Sequence, residues 1–336
     1  MASATIEQPE RKRRWFGGRQ GAQRRFVAVV LSPALAYMAV FMLLPIGWAF
    51  VLAFFDFSPR RTGSPFLGLG LDNPFVGLEH FSRMFDFSKT APLEVRQFHT
   101  ALKVTLLFAF IVVPLNLAIT LPLASMVESV RGRWKVLYRT VFFLPVLTSA
   151  VGVAIIWGFV LHPQRGLLNG LISRATGEVT AIAWTTDSDL VFLGVPIALV
   201  AIIVAYLWQD IGYNLVIFIA ALQAIPDSVK DAARVDGASA LQTFRYITLP
   251  LLKPTILLAS VLTMISAFQV FDLFQVMTNG GPGNPGQTRA LSLDIYESAF
   301  RYQRMGWAAA VSVVLFALVF TVSIVQSRFL RANWEY

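Results

Sequence analysis

The sequence predicts an all-α, polytopic membrane protein with six transmembrane helices. Of its 336 residues, 56% are hydrophobic and only 14% are charged, and the mean hydropathy is +0.63. A soluble domain of this size rarely carries so few charges, so a lipid bilayer is the solvent that this composition fits. A large soluble α protein with buried helices is the alternative, and so many long apolar runs argue against it.

Each predicted span is an apolar run long enough to cross a bilayer, which takes about 20 residues. Pro33, Pro45, Pro114 and Pro122 interrupt several of the runs, and neighbouring helices can satisfy the carbonyls that a proline frees. The first run is longer than the roughly 7–15 apolar residues of a signal peptide, so we expect a retained span. The spans are residues 26–55, 101–127, 138–161, 192–222, 251–277 and 305–327.

Basic residues concentrate in segments that share one side of this topology. The net charge is +9 and the isoelectric point about 10.1. With the N-terminus in the cytoplasm, most Lys and Arg side chains lie inside, as the positive-inside rule requires. Such a basic rim faces anionic lipid headgroups, and no nucleic-acid-binding motif accompanies it. We therefore expect two cytoplasmic tails, at residues 1–25 and 328–336, and a transmembrane domain at residues 26–327.

The residue types that carry catalysis or bind metals are scarce in this chain. It has no cysteine, which excludes disulfides and thiolate metal sites. His99 and His162 are isolated from each other and from any metal-ligand pattern. No Ser-His-Asp arrangement or catalytic carboxylate pair is visible. We therefore predict no catalytic residue, no metal site and no cofactor bound by this chain.

Polar residues in two of the predicted spans mark a candidate path for a polar solute. An unpaired ionised group at the bilayer centre costs about 2.5–3.5 kcal/mol, so these side chains should face the bundle interior or a wet cavity. Polar groups beside aromatic rings suit the binding of a sugar. Alternatively, these residues hold neighbouring helices together by interhelical hydrogen bonds. Asp272, near the outer end of its span, fits a structural or gating role. The residues are Gln209, Asp210, Tyr213 and Asn214 in the fourth span and Gln269, Asp272 and Gln275 in the fifth.

A short amphipathic segment lies between the fourth and fifth spans, and its sequence predicts two helices. Ser228 with Asp231 three residues later resembles a capping box that would start the first helix. Gly237 can adopt the left-handed conformation that ends a helix and turns the chain. Apolar residues at every third position then predict the second helix. These features alone leave open a hairpin that simply lies on the lipid headgroups.

The same segment resembles the cytoplasmic signature of the permease subunits of ABC importers. In that signature Glu-Ala-Ala is followed after three residues by Gly and after nine more by Ile-x-Leu-Pro. The resemblance implies that a coupling loop at residues 225–250 docks on a separate ATPase and transmits its closure to the spans. Asp231 replaces the family's Glu, which keeps the charge on a shorter side chain. The matching positions are Asp231, Ala232, Ala233, Gly237, Ile247, Leu249 and Pro250.

Other segments resemble the carbohydrate-uptake branch of that family, the group of the maltose and glycerol-3-phosphate permeases. FVGLEHF at residues 75–81 is similar to the motif FVGLxNF, with His80 in place of Asn. FQVFD at 268–272 and TNGGP at 278–282 resemble the passage at the end of the fifth span. IYESAF at 295–300 resembles the lead into the last span. Together these matches run from about residue 75 to residue 310.

The resemblance implies the type I ABC importer permease architecture in a bacterial or archaeal plasma (inner) membrane. It also implies a second homologous permease chain, two ATPase subunits that hold ATP and Mg, and an extracytoplasmic solute-binding protein. The sequence has no Gly-x-x-x-x-Gly-Lys-Ser/Thr phosphate loop, as a separately encoded ATPase predicts. We therefore expect a transport subunit, not an enzyme, that passes a sugar inward by alternating access.

Three points stay open at this level. The cargo is alternatively a polyol, glycerol phosphate or another small solute. A self-contained ion-coupled transporter that uses Asp210 and Asp272 is the competing class, although no internal repeat is visible. The turn-rich loop at residues 280–285 either receives the binding protein or simply closes a hairpin.

Overall fold

The computed structural model describes residues 19–61, 72–282 and 286–329, and these are mainly α-helical. Most of the two predicted tails and part of the predicted outer loop, at residues 283–285, therefore lie outside the described residues. The chain divides into two compact units with the boundary after Val51.

The first unit contains one long apolar helix. Helix α1 (Arg19–Met38) continues through a π-helical turn (Ala39–Leu43) into α2 (Leu44–Leu52). Residues 21–52 contain an 18-residue stretch with a mean hydropathy of 2.3 and are long enough to cross a membrane. Pro33 lies inside α1 without ending it, because helices in a bilayer tolerate proline better than helices in water.

The second unit is a helical bundle with one very long helix, α4, at its centre. Its α-helices and strands, in chain order, are α3 (Glu79–Arg83), α4 (Leu93–Ser129), α5 (Arg133–Phe143), α6 (Ala150–Val160), α7 (Leu167–Thr176), β1 (Val191–Phe192), β2 (Val195–Pro196), α8 (Ile197–Ala224), α9 (Asp227–Val235), α10 (Ala240–Thr243), α11 (Leu249–Leu251), α12 (Lys253–Gln269), α13 (Asp272–Met277), α14 (Leu291–Tyr296) and α15 (Met305–Phe329). Short 3₁₀ and π-helical turns extend three of them, at Leu144–Leu147, Phe244–Thr248 and Glu297–Arg301.

Interlocking aromatic rings hold the centre of this bundle together. Helix α4 packs against α8 and α12, and α12 packs against α15. Phe108 on α4 is fully buried. Its ring meets Phe274 and Tyr206 edge to face, with ring centroids 5.2 and 5.3 Å apart, which is the geometry that aromatic quadrupoles favour. The core therefore joins the second, fourth and fifth predicted spans.

The membrane topology agrees with six spans only if two bent helix pairs are each counted as one. Within the described residues, four helices are long and apolar enough to cross a membrane, and the two bent pairs raise the number to six. The third predicted span is bent by 101° between Arg133–Leu147 and Ala150–Val160. The fifth is preceded by a bend of 69° between Ala240–Leu251 and Lys253–Gln269. A bent pair of this kind is a broken span or a re-entrant segment.

Several predicted span boundaries were wrong. The fourth span begins at Ile197, not at residue 192, because residues 191–196 form a tight β-hairpin with Gly194 at a φ of +80°. The fifth span does not reach residue 277 as one helix, since α12 ends at Gln269 and α13 starts anew at Asp272. Helix α4 runs unbroken through both of its prolines.

Candidate functional site

A cavity of about 390 Å³, with several polar side chains on its wall, lies where the two broken spans meet α8. The break after Leu147 supplies one wall, α8 the second, and the break between α12 and α13 the third. Unwound backbone is tolerated at membrane depth only where protein buries it or where it lines a cavity. The lining residues are Val146, Ala150, Tyr206, Gln209, Asp210, Tyr213, Ser266, Gln269, Val270, Phe271, Asp272 and Leu273.

Side chains from neighbouring helices satisfy a carbonyl at each helix break. Gln209 on α8 donates its Nε2–H to the backbone oxygen of Thr148, at 2.8 Å. The Ser292 hydroxyl on α14 donates to the backbone oxygen of Val270, at 2.5 Å. A buried carbonyl without a partner would cost about 1–3 kcal/mol. The two side chains therefore stabilise the unwound segments that shape the cavity.

A buried polar network lies behind the cavity and ties α4, α8 and α12 together. The Oδ2 atom of Asp210 accepts hydrogen bonds from the Nδ2 atoms of Asn116 (2.9 Å) and Asn214 (3.1 Å). The amide of Asn214 also reaches the Thr263 hydroxyl on α12, at 2.8 Å. Thr120, one turn along α4, donates to Asn116 at 3.1 Å. Asp210 is thus held on the network side and faces the cavity on the other.

The structure separates the seven predicted pathway residues into three groups. Five of them line the cavity: Gln209, Asp210, Tyr213, Gln269 and Asp272. Asn214 is fully buried in the network. Gln275 is outside the cavity wall and donates to Asn279, at 3.1 Å. The two alternatives, lining the cavity and hydrogen bonding to a neighbouring segment, therefore combine in Gln209 and Asp210, whereas Asn214 shows only the second.

Asn214→Ala is expected to destabilise the bundle by about 1–3 kcal/mol, because it removes a donor from the buried Asp210 carboxylate and leaves the Thr263 hydroxyl with one partner fewer. The measurement is the temperature at which the purified chain loses its monodisperse state in detergent. Gln275→Ala is the matched control, since its partner Asn279 is exposed, and we expect a change within about 0.5 kcal/mol. Equal stability of both variants would contradict a stabilising role for the network.

The cavity carries negative but no positive side chains. Asp210 and Asp272 contribute carboxylates, and none of the lining residues that the structure describes is Lys or Arg. Tyr206, Tyr213 and Phe271 add aromatic rings, and Gln209 with Gln269 adds amides. This chemistry suits an uncharged solute that offers both hydroxyls and C–H faces.

The predicted coupling loop forms two short helices joined by a tight turn. Helix α9 ends in a Schellman motif: Gly237, at a φ of +74°, donates its N–H to the oxygen of Arg234 at 3.1 Å, and Ala238 donates to the oxygen of Ala233 at 3.0 Å. Within the described chain, no atom lies within 4 Å of the position that a Cβ on Gly237 would take. The turn thus needs glycine for its conformation and not for space.

The predicted capping box at Ser228 was wrong. Helix α9 begins two residues earlier than that box predicts, at Asp227, because Pro226 and not Ser228 is its N-cap, and Asp231 pairs with Arg234 at 2.8 Å instead. A capping box does exist at the start of α10. There Gln242 donates its N–H to the Ser239 hydroxyl, at 3.3 Å, and Ser239 donates its N–H to the Gln242 side chain, at 2.8 Å.

The seven signature residues of the coupling loop divide by exposure. Ala233 is buried against the bundle and Ile247, Leu249 and Pro250 are half-buried, whereas Asp231, Ala232 and Gly237 are exposed. Sequence reasoning missed two large side chains that stand out beside them. Val235 and Tyr246, with Leu241, are 87%, 70% and 74% exposed. Such a group of exposed apolar side chains is typical of an interaction surface.

The turn-rich loop after α13 is fastened to the rest of the second unit. Gln287 donates to the backbone oxygen of Ser188, at 2.9 Å. The buried Arg289 guanidinium contacts Asp294, at 3.1 Å, and Glu297, at 2.5 Å. Burial raises the pKa of Asp294 to about 6, although Arg289 opposes that shift. The described part of this loop is thus a fixed feature of the surface.

Bent spans around a polar cavity, with a two-helix loop between the fourth and fifth spans, define a membrane transport subunit. Residues 120–332 match the family described as "Binding-protein-dependent transport system inner membrane component". The chain belongs to this family of ABC importer permeases. It is therefore an inner-membrane transport component and not an enzyme. This finding sets aside the self-contained ion-coupled transporter.

Curated relatives and a solved structure support the same family and fold. The chain is 32% identical over 298 residues to the "Lactose transport system permease protein LacF" of Rhizobium radiobacter, which covers 88% of this chain and 91% of the relative. It is 31% identical over 312 residues to the "sn-glycerol-3-phosphate transport system permease protein UgpA" of Yersinia pseudotuberculosis, covering 92% and 95%. A chain of a bacterial ABC transporter for the import of the acidic polysaccharide alginate superposes with a TM-score of 0.76 at 20% identity, covering 94% and 99%.

Proposed function

We propose that the chain forms half of a path for an uncharged, hydroxyl-rich solute such as a sugar. A second, related permease chain supplies the other half, and an extracytoplasmic binding protein delivers the solute. Two copies of a separate ATPase hold ATP and Mg and drive alternating access. The observation that carries the proposal is the cavity at the two helix breaks, with amides, carboxylates and aromatic rings but no cation among its described lining residues.

The charge of the cavity favours a neutral cargo over a phosphorylated one. Two relatives are named for different solutes, lactose and sn-glycerol-3-phosphate. A phosphate 4 Å from an ionised carboxylate is repelled by about 4 kcal/mol at an effective dielectric constant of 20. A hydrogen bond contributes only about 0.5–1.5 kcal/mol. Several hydrogen bonds would be needed to offset one such repulsion, and neutral sugars or polyols avoid it.

The coupling loop is the site we assign to the ATPase. Its exposed apolar side chains, Val235, Leu241 and Tyr246, would be buried by a docked partner. The capping box and the Schellman turn hold its two helices in a fixed arrangement. The loop leads through the bend at Leu252 into α12, whose other end lines the cavity. A displacement of the loop would therefore move α12 and change the cavity wall. Asp231, paired with Arg234, presents its charge on the same surface.

Charge supports an orientation with both termini in the cytoplasm. The α4–α5 turn and the start of α5 carry Arg131, Arg133 and Lys135, and the coupling loop carries Lys230 and Arg234. Because basic loops stay on the cytoplasmic side, both segments lie inside. An even number of spans then places the two ends of the chain on that side as well.

Gln209→Ala is expected to reduce uptake of a neutral sugar by roughly tenfold. The substitution removes an amide from the cavity wall and frees the Thr148 carbonyl, and each lost hydrogen bond weakens the path by about 0.5–1.5 kcal/mol. The measurement is uptake by the complete complex in proteoliposomes, tested with a panel of neutral mono- and disaccharides and with glycerol phosphates.

The ATPase should copurify equally with this variant and with the wild type. Gln223→Ala is the control, because Gln223 lies at the other end of α8, beside Glu128, and full uptake is expected from it. Transport of glycerol phosphates but of no neutral saccharide would contradict the proposed cargo. Undiminished sugar uptake by Gln209→Ala would contradict the proposed path.

A further inference from the structure

A second, larger cavity lies between the coupling loop and the α4–α5 turn. Its volume is about 750 Å³. The end of α4 and the turn after it form one wall, with Glu128, Arg131 and Lys135, and α9 forms the other, with Lys230 and Arg234. The cavity is therefore bounded on one side by the element that we assign to energy coupling and on the other by the membrane bundle.

The charge of this second cavity is positive. Arg131, Lys135, Lys230 and Arg234 line it, against the carboxylates of Glu128 and Asp227. Two cations share Glu128, since it contacts Lys135 and lies 2.8 Å from Arg139. The Lys230–Asp227 pair is 3.4 Å long and its carboxylate is 90% exposed, so it binds Lys230 weakly.

Of the four cations on the cavity wall, the other three each pair with a carboxylate, which leaves Arg131 for a ligand. It lines the cavity, yet it makes no ion pair in the part of the chain that the structure describes. Hydroxyl groups of Ser125, Thr243 and Thr248 line the same space and can donate hydrogen bonds. Guanidinium and ammonium groups together with hydroxyl donors are the groups that bind phosphate oxygens.

We propose that this cavity binds a phosphate group that bridges the α4–α5 turn and the coupling loop. A phosphate held by Arg131 on one wall and Lys230 on the other ties the loop to the bundle. The proposal rests on the cytoplasmic orientation given under the proposed function. It adds a ligand that is neither the transported solute nor the nucleotide.

Two sources can supply such a phosphate: the headgroup of an anionic phospholipid or a soluble phosphorylated metabolite. Helix α5, next to the cavity, exposes Trp134 and Tyr138 one turn apart. Amphipathic aromatic residues of this kind sit at the level of lipid headgroups, and basic pockets on the cytoplasmic side of transmembrane helices hold lipid headgroups. The position therefore brings the cavity within reach of the inner leaflet.

The test uses the complete, purified complex and the variant Arg131→Gln, with Arg133→Gln as the matched control. Arg133 begins α5, two residues after Arg131, and is exposed, but it does not line the cavity. Native mass spectrometry measures how much phosphatidylglycerol the complex retains relative to phosphatidylcholine. Thermal stability in phosphatidylcholine nanodiscs, with and without inorganic phosphate, measures the soluble source.

For a lipid headgroup, Arg131→Gln should retain phosphatidylglycerol about fivefold less than the wild type, the effect of one basic residue near an anionic surface. For a soluble ligand, inorganic phosphate should stabilise the wild type and not this variant. Either result supports the site. No phosphatidylglycerol preference together with no phosphate effect would overturn it, as would an equal loss in Arg133→Gln.

Sugar uptake in phosphatidylcholine, measured beside these assays, keeps the two proposals separate. Normal sugar uptake, in a complex whose wild type and Arg131→Gln variant do not differ in phosphatidylglycerol retention or in their response to phosphate, would remove the phosphate site and leave the transport function standing. Retained phosphatidylglycerol discrimination in a complex that transports no neutral saccharide would do the reverse.

Discussion

Gly237→Pro is expected to abolish solute uptake and the ATP hydrolysis that solute stimulates, while the chain still inserts into the membrane. Proline fixes φ near −65° and has no N–H. It therefore cannot adopt the +74° of Gly237, and it loses the hydrogen bond to the Arg234 oxygen. The turn between α9 and α10 then opens, and the apolar surface of the coupling loop loses its shape. Uptake and ATPase activity in proteoliposomes measure the effect.

Gly237→Asn is the matched control for this turn. Asparagine tolerates the left-handed conformation, and no described atom lies within 4 Å of the Cβ position. We expect this variant to keep most of the uptake. Normal transport by Gly237→Pro would rule out the coupling loop as the mechanical connection, and equal loss in both variants would show that the turn conformation is not what matters.

Gly212→Ala should lower the stability of the helical bundle. A Cβ at this position in α8 would overlap the backbone oxygen of Phe142 and lie 2.8 Å from Val146 Cγ2. Backbone cannot move aside as a side chain can, so α5 must shift away from α8. Overpacking of this kind costs about 1–3 kcal/mol. The amount of intact chain in the membrane fraction and its melting temperature in detergent measure the loss.

The same substitution at Gly158 provides the control. Gly158 is inside α6, and the described chain leaves the space around its Cβ position open. Alanine favours a helix over glycine by about 1 kcal/mol, so Gly158→Ala should be neutral or slightly stabilising. Both substitutions raise the helix propensity by the same amount, and they differ only in whether the added methyl group overlaps neighbouring atoms. A Gly212→Ala variant as stable as Gly158→Ala would show that α5 and α8 are not in close contact.

Hydropathy predicted the membrane class because long apolar runs are visible in the sequence itself. The helix breaks beside the cavity are not visible there. Nothing in the sequence around Val270 and Phe271, neither proline nor glycine, signals that α12 ends there. At the break, Ser292, distant in sequence, hydrogen-bonds to the Val270 oxygen. Only the tertiary structure brings those two residues together.

The candidate site was predictable in part for the same reason. The cost of polar groups in a bilayer pointed to Gln209, Asp210 and Tyr213, and all three line the cavity. The free-energy cost of exposing a polar side chain to lipid is avoided equally well by facing a cavity and by bonding to a neighbouring helix, so this cost does not distinguish the two roles. Asn214, one turn from Asp210, was therefore assigned to the path, although its partners Asn116 and Thr263 place it in the network.

The satisfied carbonyls at the helix breaks bear on turnover. Gln209 bonds to Thr148 and Ser292 to Val270, so these two carbonyls have partners without a solute. A solute meets the polar groups that remain, such as the Tyr206 hydroxyl on the cavity wall, which has no hydrogen-bond partner in the described part of the chain. We therefore expect weak binding and quick release, which suits a passage that leaves tight capture to a separate protein.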